Sequence, residues 1–206
     1  TIVDRLVNDG WVTRTPLPIR TLATLLGLSV RCALDAAAEG VERGLVTVTA
    51  DGVVPHSARS QAMVVDGMAP ADQARIARMV LPVLTHVACP AELVTSARLH
   101  LLADPENGWE VAVGLAVRAI SLVDEFDTRS RSTIARQMMA ELEAIGAPSV
   151  AMCPFLVEDG LAMELLGRPE DGVALIERAY RCALEAGDVR QAIEVAVRAS
   201  ESTLSA

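Results

Sequence analysis

Helix-breaking residues divide the last two thirds of this chain at regular intervals. From Ser57 onward, apolar residues recur at helical spacing and no segment alternates as a strand does. The breaks at Gly and Pro predict helices over residues 58–65, 70–86, 91–103, 109–126, 131–145, 150–166, 170–186 and 189–204. Helices of this length joined by short turns predict stacked antiparallel helical hairpins.

The apolar residues are mostly aliphatic, because aromatic residues make up only 2% of the 206 residues. Small aliphatic side chains let helices pack closely, and Ala and Leu favour helix formation. We therefore expect a mostly α fold. The longest uncharged stretch, residues 144–157, has 14 residues and two prolines. It is too short for a membrane-spanning helix, which needs about 18 apolar residues.

The first residues are charged and lack the apolar segment of a signal peptide. The chain begins at Thr1, so we interpret it as a piece of a longer protein. Four cysteines, at positions 32, 89, 153 and 182, stand singly without metal-ligand spacing. We expect them to be small buried residues in a reducing compartment, with disulfides in a secreted domain as the alternative. These features predict a soluble, cytoplasmic protein.

The first third of the chain combines helices with a β-hairpin. The predicted helices cover residues 1–8, 19–26 and 30–43; Ser29 caps the third helix, which ends at Gly44. Residues 45–49 and 53–56 alternate around Asp51-Gly52, a hairpin signal. On the third helix, the side chains expected to be buried are Cys32 or Ala33, Leu34, Ala37 and Val41. This order is typical of a winged helix-turn-helix, which we assign to residues 1–67.

Residues 68–206 are assigned to an antiparallel array of helical hairpins. Small and large residues between 161 and 184, with Gly167 closing one helix and Tyr180 as an aromatic filler, are similar to a tetratricopeptide repeat (TPR). Gly187-Asp188 then begins another helix. An ordinary helical bundle is the alternative.

No motif for catalysis or nucleotide binding occurs in the chain, so we do not expect an enzyme, a catalytic residue or a metal site. His56, His86 and His100 lie far apart in the sequence. The acidic pairs Asp124-Glu125 and Glu158-Asp159 lie near the ends of helical stretches, where solvated helix termini explain them.

The charge balance disfavours DNA binding and membrane binding. The chain has 18 basic residues, all Arg, against 27 acidic ones, for a net charge of −9. The helix at 30–43, in the position of a recognition helix, carries two arginines and three acidic residues. DNA is therefore an improbable partner of this segment. If DNA is bound nevertheless, Arg14, Arg20 and Arg31 are the candidate contacts.

The segment LATLLGLSVRCALDAAAEGVERGLVTVTADGVVPHS, together with PADQARIARMVLPVLTH, resembles the middle region of large LuxR-type, MalT-like regulators of the STAND class of signal-transduction ATPases. The matching features are Leu25-Leu26-Gly27-Leu28-Ser29, the helix exit at Gly44-Leu45, the hairpin and His56. In that family a nucleotide-binding module precedes a winged helix and a TPR-like sensor region, and a LuxR-type DNA-binding domain often follows.

The resemblance implies a role in switching. The winged helix would contact the nucleotide-binding module of the same parent chain, with His56 against bound ADP. The helical array would bind an inducer or a partner protein. ATP or ADP would belong to the parent, with no cofactor in this segment. The alternatives are a stand-alone winged-helix DNA-binding regulator with a helical dimerisation or ligand-binding domain, and a small helical enzyme or scaffold.

Overall fold

The computed structural model describes residues 18–50, 52–56, 68–83 and 89–203. The chain forms two compact units, Thr1–Asp104 and Pro105–Ala206. It is mostly helical, as the composition predicts, and contains the two-stranded antiparallel hairpin that the alternation around Asp51-Gly52 predicts. The helices predicted over 1–8 and 58–65 lie outside the described residues. So does the end of the segment assigned to 1–67, and the division at that point stays a prediction.

Residues 18–56, apart from residue 51, form two helices and a hairpin in the first unit. Helix α1 is Ile19–Leu26 and helix α2 is Val30–Glu42. The Ser29 side chain accepts a hydrogen bond from the Cys32 backbone N–H at 3.2 Å, so the predicted cap is confirmed. The predicted exit at Gly44 is confirmed as well, since this residue has a φ of 65° and ends the helix in the left-handed region.

The inner face of α2 differs from the predicted one. Its buried residues are Ala33, Ala36, Ala37 and Gly40. Ala33, given as the alternative to Cys32, and Ala37 are buried as predicted, whereas Leu34 is 52% exposed and Val41 is 46% exposed, so the prediction that these two are buried was wrong. The reason is the close approach of the hairpin, because a Cβ built on Gly40 would lie 2.8 Å from Val46 Cγ2. Only small residues fit on that side of the helix.

The hairpin consists of strand β1, Val46–Thr49, and strand β2, Gly52–Pro55. Val46 pairs with Pro55 and Thr49 with Gly52, so Gly52 belongs to the strand rather than to the predicted Asp-Gly turn. Val46 and Val53 are buried against α1 and α2. This packing forms a small apolar core under one side of the hairpin.

A helix pair completes the described part of the first unit. Helix α3, Pro70–Val80, runs into a 3-10 helix, Leu81–Val83, and helix α4 is Pro90–Ala103. Ile76 and Val80 of α3 are buried against Leu99 of α4. The prediction of a helix over 70–86 is thus confirmed up to the 3-10 turn, and residues 84–88 are not described.

Residues 105–203, the described part of the second unit, contain five α-helices. They are α5, Trp109–Leu122; α6, Thr128–Ala144; α7, Cys153–Leu165, preceded by a 3-10 helix at Ser149–Met152; α8, Pro169–Glu185; and α9, Val189–Thr203. Helix α5 ends four residues before the predicted end at Phe126. Asp124 Oδ1 accepts a hydrogen bond from the Phe126 backbone N–H at 2.9 Å, and the Asp127 carboxylate caps α6. These two carboxylates therefore stabilise a turn between α5 and α6.

Helix α7 lies at the centre of the second unit and packs against α6, α8 and α9. Phe155, Leu156 and Val157 are consecutive and all buried, so α7 is enclosed on several sides. The α7–α8 crossing is close, because a Cβ built on Gly172 would lie 2.6 Å from the carbonyl oxygen of Gly160. This backbone-to-backbone contact requires glycine on both helices.

Candidate functional site

His56 follows directly after strand β2 and is held by strand β1. Its backbone N–H donates to the carbonyl oxygen of Leu45 at 3.0 Å. Its ring Nδ1 lies 3.2 Å from Thr47 Oγ1, and the residue is exposed. The hairpin therefore orients the imidazole at the surface, where a ligand can approach it.

The arginines considered for DNA contact lie at different places. Arg20 is exposed on α1, Arg31 is exposed in the first turn of α2, and Arg14 lies outside the described residues. The structure therefore does not bring the three together as one described cluster. Arg43, at the end of α2, pairs with Glu39 at 3.4 Å, which offsets part of its charge.

A groove runs beside α2 and the hairpin. It has a volume of about 450 Å³ and is lined mainly by apolar side chains, among them Leu34 and Val48, with Arg20 as its basic residue. Asp35, Glu39 and Glu42 are exposed on α2. The sequence did not indicate this groove, because helical spacing predicted that Leu34 lies in the core. The surface combines apolar and acidic groups, which suits a protein partner better than a phosphate backbone.

The acidic pair Glu158-Asp159 is buried in the middle of α7, so its assignment to a solvated helix end was wrong. Glu158 is 7% exposed and Asp159 is 3% exposed. The physical reason is that α7 is enclosed by other helices, so polar residues on several of its sides face protein. Asp124-Glu125, in contrast, is exposed after α5, as expected.

Arginines from two neighbouring helices neutralise Glu158. Arg131 of α6 donates to Oε2 and Arg198 of α9 to Oε1, each at 2.6 Å. One carboxylate thus links α6, α7 and α9. None of these residues was predicted from the sequence to form a site. The available signal was an acidic pair with apolar residues on both sides, Phe155 to Val157 before it and Leu161-Ala162 after it.

Asp159 is bound separately on the α6 side of α7. The Arg136 Nε lies 2.9 Å from Oδ2 and 3.0 Å from Oδ1, and the Ser132 hydroxyl donates to Oδ1 at 2.6 Å. Each oxygen of both acids therefore accepts a hydrogen bond. This satisfied, buried ion network links α7 to α6 and α9.

His100 and Cys153 lie outside this ion network. His100 is half-buried in α4, and burial lowers the pKa of its imidazole; His86 lies outside the described residues. Burial, with the nearby Cys182 and Asp188, raises the pKa of the Cys153 thiol to about 11. Cys153 is buried as expected, whereas Cys32 and Cys89 are exposed, so the expectation of four buried cysteines was wrong.

Among residues 18–50, 52–56, 68–83 and 89–203, no three His, Cys, Asp or Glu side chains are grouped so that they could hold a metal ion. In the same ranges no helix has the length and apolar character needed to cross a membrane.

Comparison of this chain with protein-family models, curated proteins and solved structures finds no match.

Proposed function

We propose that this chain is a regulatory segment of a cytoplasmic transcription regulator and acts by contact with other protein segments. In this proposal the first unit contains a winged helix, formed by α1, α2 and the hairpin, and the second contains a TPR-like sensor array. The segment performs no catalysis of its own. It transmits the binding of an inducer or partner protein by favouring one arrangement of the parent chain.

The exposed face of α2 is the observation that carries this proposal. Leu34 and Val41 are exposed on it together with three carboxylates. A helix that enters the major groove needs basic and hydrogen-bonding side chains toward phosphates and base edges. When a protein surface covers exposed Leu and Val side chains, the burial of their apolar surface instead favours association. The groove beside Leu34 and Val48 provides a matching concave surface.

Two further observations support the regulatory assignment. His56 is presented at the surface by Thr47 at the end of the hairpin, a position from which an imidazole could contact a nucleotide phosphate. The close contact of Gly160 with Gly172 supports a TPR-like packing of α7 on α8. The array would bind the inducer or the partner protein.

Binding to the neighbouring module tests the proposal. The reading frame around this chain is expected to encode a nucleotide-binding module, which is purified and titrated with the chain by calorimetry, with and without ADP. Leu34→Asp is expected to weaken binding at least about tenfold, as for a central interface residue. Val111→Asp, on the equally exposed Val111 of α5, is the matched control and should bind as the unaltered chain does. His56→Ala is expected to weaken binding only when ADP is present.

A gel shift at low salt tests the alternative of a DNA-binding regulator. We expect no retained duplex. Retention that is lost in Arg20→Ala and Arg31→Ala would overturn the proposal in favour of direct DNA binding. A reading frame without a nucleotide-binding module, or a titration without binding, would also overturn it.

A further inference from the structure

Two of the four cysteines lie on helices that pack against each other in the second unit. Cys153 is the first residue of α7, and Cys182 lies near the end of α8. Along this pair Gly160 of α7 meets Gly172 of α8, and Cys153 meets Ala179, so the two helices run in opposite directions. The beginning of α7 therefore lies beside the end of α8, and both cysteines lie at the same end of the pair.

The Cys153 thiol contacts the backbone of α8 one helical turn before Cys182. It donates a hydrogen bond to the carbonyl oxygen of Ala179 at 3.3 Å. A carbonyl oxygen in an α-helix points toward the following turn, and residues three apart share a face of the helix. Cys182 follows Ala179 by three residues, so it lies on the side of α8 that the Cys153 thiol contacts. Burial and then the nearby Cys182 raise the pKa of the Cys153 thiol, which agrees with this placement.

The two thiols differ in their access to solvent. Cys153 is fully buried, whereas Cys182 is partly exposed. With a pKa of about 11, the Cys153 thiol stays protonated at neutral pH, and its burial keeps solutes away from it. A small oxidant from the solvent therefore meets Cys182 first. An accessible cysteine beside an enclosed one can be oxidised first and then resolved by its neighbour.

We propose that Cys182 and Cys153 form a reversible disulfide when hydrogen peroxide oxidises the chain. The O–O bond of the peroxide breaks, one oxygen passes to the Cys182 sulfur as a sulfenic acid, and one water is released. The Cys153 sulfur then attacks the Cys182 sulfur. The S–S bond forms, the S–O bond breaks, and the hydroxyl group leaves with the Cys153 proton as a second water. Two thiols are oxidised and one peroxide is reduced.

The packing of α7 on α8 favours closure of this bond. A disulfide needs two Cα atoms about 4.4–6.8 Å apart. A cysteine side chain is short, so the 3.3 Å contact of the Cys153 sulfur with a backbone oxygen means that the two backbones approach closely here. Ala179 and Ala183, both fully buried on α8, are small and leave room for the sulfur atoms to turn toward each other. Cys153 then exchanges its hydrogen bond for a bond to Cys182.

The disulfide would tie α7 to α8 and close residues 153–182 into a loop. Closure of a loop of this length is expected to lower the unfolding equilibrium constant on the order of a hundredfold. Because the Cys182 sulfur is partly exposed, a dithiol reductant can attack the bond and regenerate both thiols. Reversible disulfides of this kind serve as redox sensors in reducing compartments. The α7–α8 pair is thus a site at which oxidation changes the rigidity of the second unit.

Treatment of the reduced chain with hydrogen peroxide tests the proposal, with mass spectrometry of its unreduced peptides as the measurement. We expect a peptide pair joined through Cys153 and Cys182, which dithiothreitol separates again. In the chain unfolded by urea, the yield of this pair relative to bonds of Cys32 or Cys89 is expected to fall at least about tenfold, because the two thiols are no longer held together.

Three variants test the order of the steps. Cys182→Ser is expected to leave Cys153 reduced, and Cys153→Ala is expected to stop the reaction at a Cys182 sulfenic acid, which dimedone traps. Cys89→Ser, at an exposed cysteine of the first unit, is the matched control and should form the bond as the unaltered chain does. Circular dichroism checks that each variant is folded, and Cys182→Ser serves alone if the change at the buried position prevents folding.

Three results would each overturn the proposal. The first is a folded chain that yields no peptide pair joined through Cys153 and Cys182. The second is a bond that forms equally well in the folded and the unfolded chain, since the packing of α7 on α8 would then play no part. The third is a Cys182→Ser variant in which peroxide oxidises Cys153 as fast as in the unaltered chain.

Discussion

Replacement of Glu158 by Gln is expected to destabilise the second unit strongly, because this carboxylate neutralises two arginines from different helices. Its side chain is only 8% exposed, and its two oxygens accept from Arg131 and Arg198 at 2.6 Å each. The Gln side chain keeps the size of the residue and removes the charge. Both guanidinium groups then lack their counter-charge.

The exposure of the two arginines sets the magnitude. Breaking a fully buried ion pair costs about 3–5 kcal/mol. The Arg131 side chain is 22% exposed and that of Arg198 is 39% exposed, so water partly solvates them after the change. We therefore expect Glu158→Gln to lower the free energy of unfolding by about 2–3 kcal/mol.

Glu143→Gln provides the matched control. Glu143 on α6 pairs with Arg178 on α8 at 3.2 Å, but both side chains are about half exposed. Such a pair contributes less than about 1 kcal/mol. Both variants are compared with the unaltered chain by urea denaturation followed by circular dichroism. Equal losses of stability in the two variants would refute the reasoning.

The dependence on salt concentration further distinguishes the exposed pair of Glu143 from the buried pairs of Glu158. Exposed charges are screened by added salt, and buried pairs are screened much less. The loss caused by Glu143→Gln should therefore shrink with ionic strength, while the loss caused by Glu158→Gln should persist. Arg198→Gln is expected to give an intermediate loss, since Arg131 still pairs with the carboxylate.

Gly172→Ala is expected to lower the free energy of unfolding by more than about 1 kcal/mol, because the added Cβ would lie 2.6 Å from a backbone oxygen of α7. Gly114→Ala, at a helix position with nothing within 4 Å, should raise it by up to about 1 kcal/mol, and equal signs in thermal unfolding would contradict this explanation. A thiol reagent is expected to modify the exposed Cys32 and Cys89 quickly and the buried Cys153 only on unfolding, as mass spectrometry of the modified chain would reveal. Because the pKa of Cys153 rises to about 11 on folding from an ordinary value of 9.0, the folded chain keeps this thiol protonated while the unfolded chain ionises it. This contribution to stability is complete below pH 9.0 and is lost as the pH rises to about 11; Cys153→Ala should reduce that loss in urea titrations.

Most of the described secondary structure follows from local sequence. The Ser29 cap, the Gly44 exit and the alternation around β1 and β2 each depend on neighbouring residues only. The predicted helix ends were less exact where a side chain closes a turn, as Asp124 does after α5. Caps, breaks and periodicity are properties of short segments, and a sequence therefore displays them directly.

The candidate surfaces needed the tertiary structure, because they depend on which face of a helix another element covers. Helical spacing alone predicted that Leu34 lies on the buried face of α2. In the structure, Val46 approaches Gly40 closely on another face of the helix, and Leu34 is exposed. The arginine partners of Glu158 lie 27 and 40 residues away in the sequence.

The sequence by itself determined the order and approximate limits of the described helices and the hairpin, since these follow from contacts within a few residues. Only the tertiary structure decided that Glu158 and Asp159 are enclosed and that Leu34 and Val41 are exposed. Burial depends on the packing of helices distant in the sequence. The same apolar and acidic residues can therefore lie in a core or at a surface, according to the helices that pack around them.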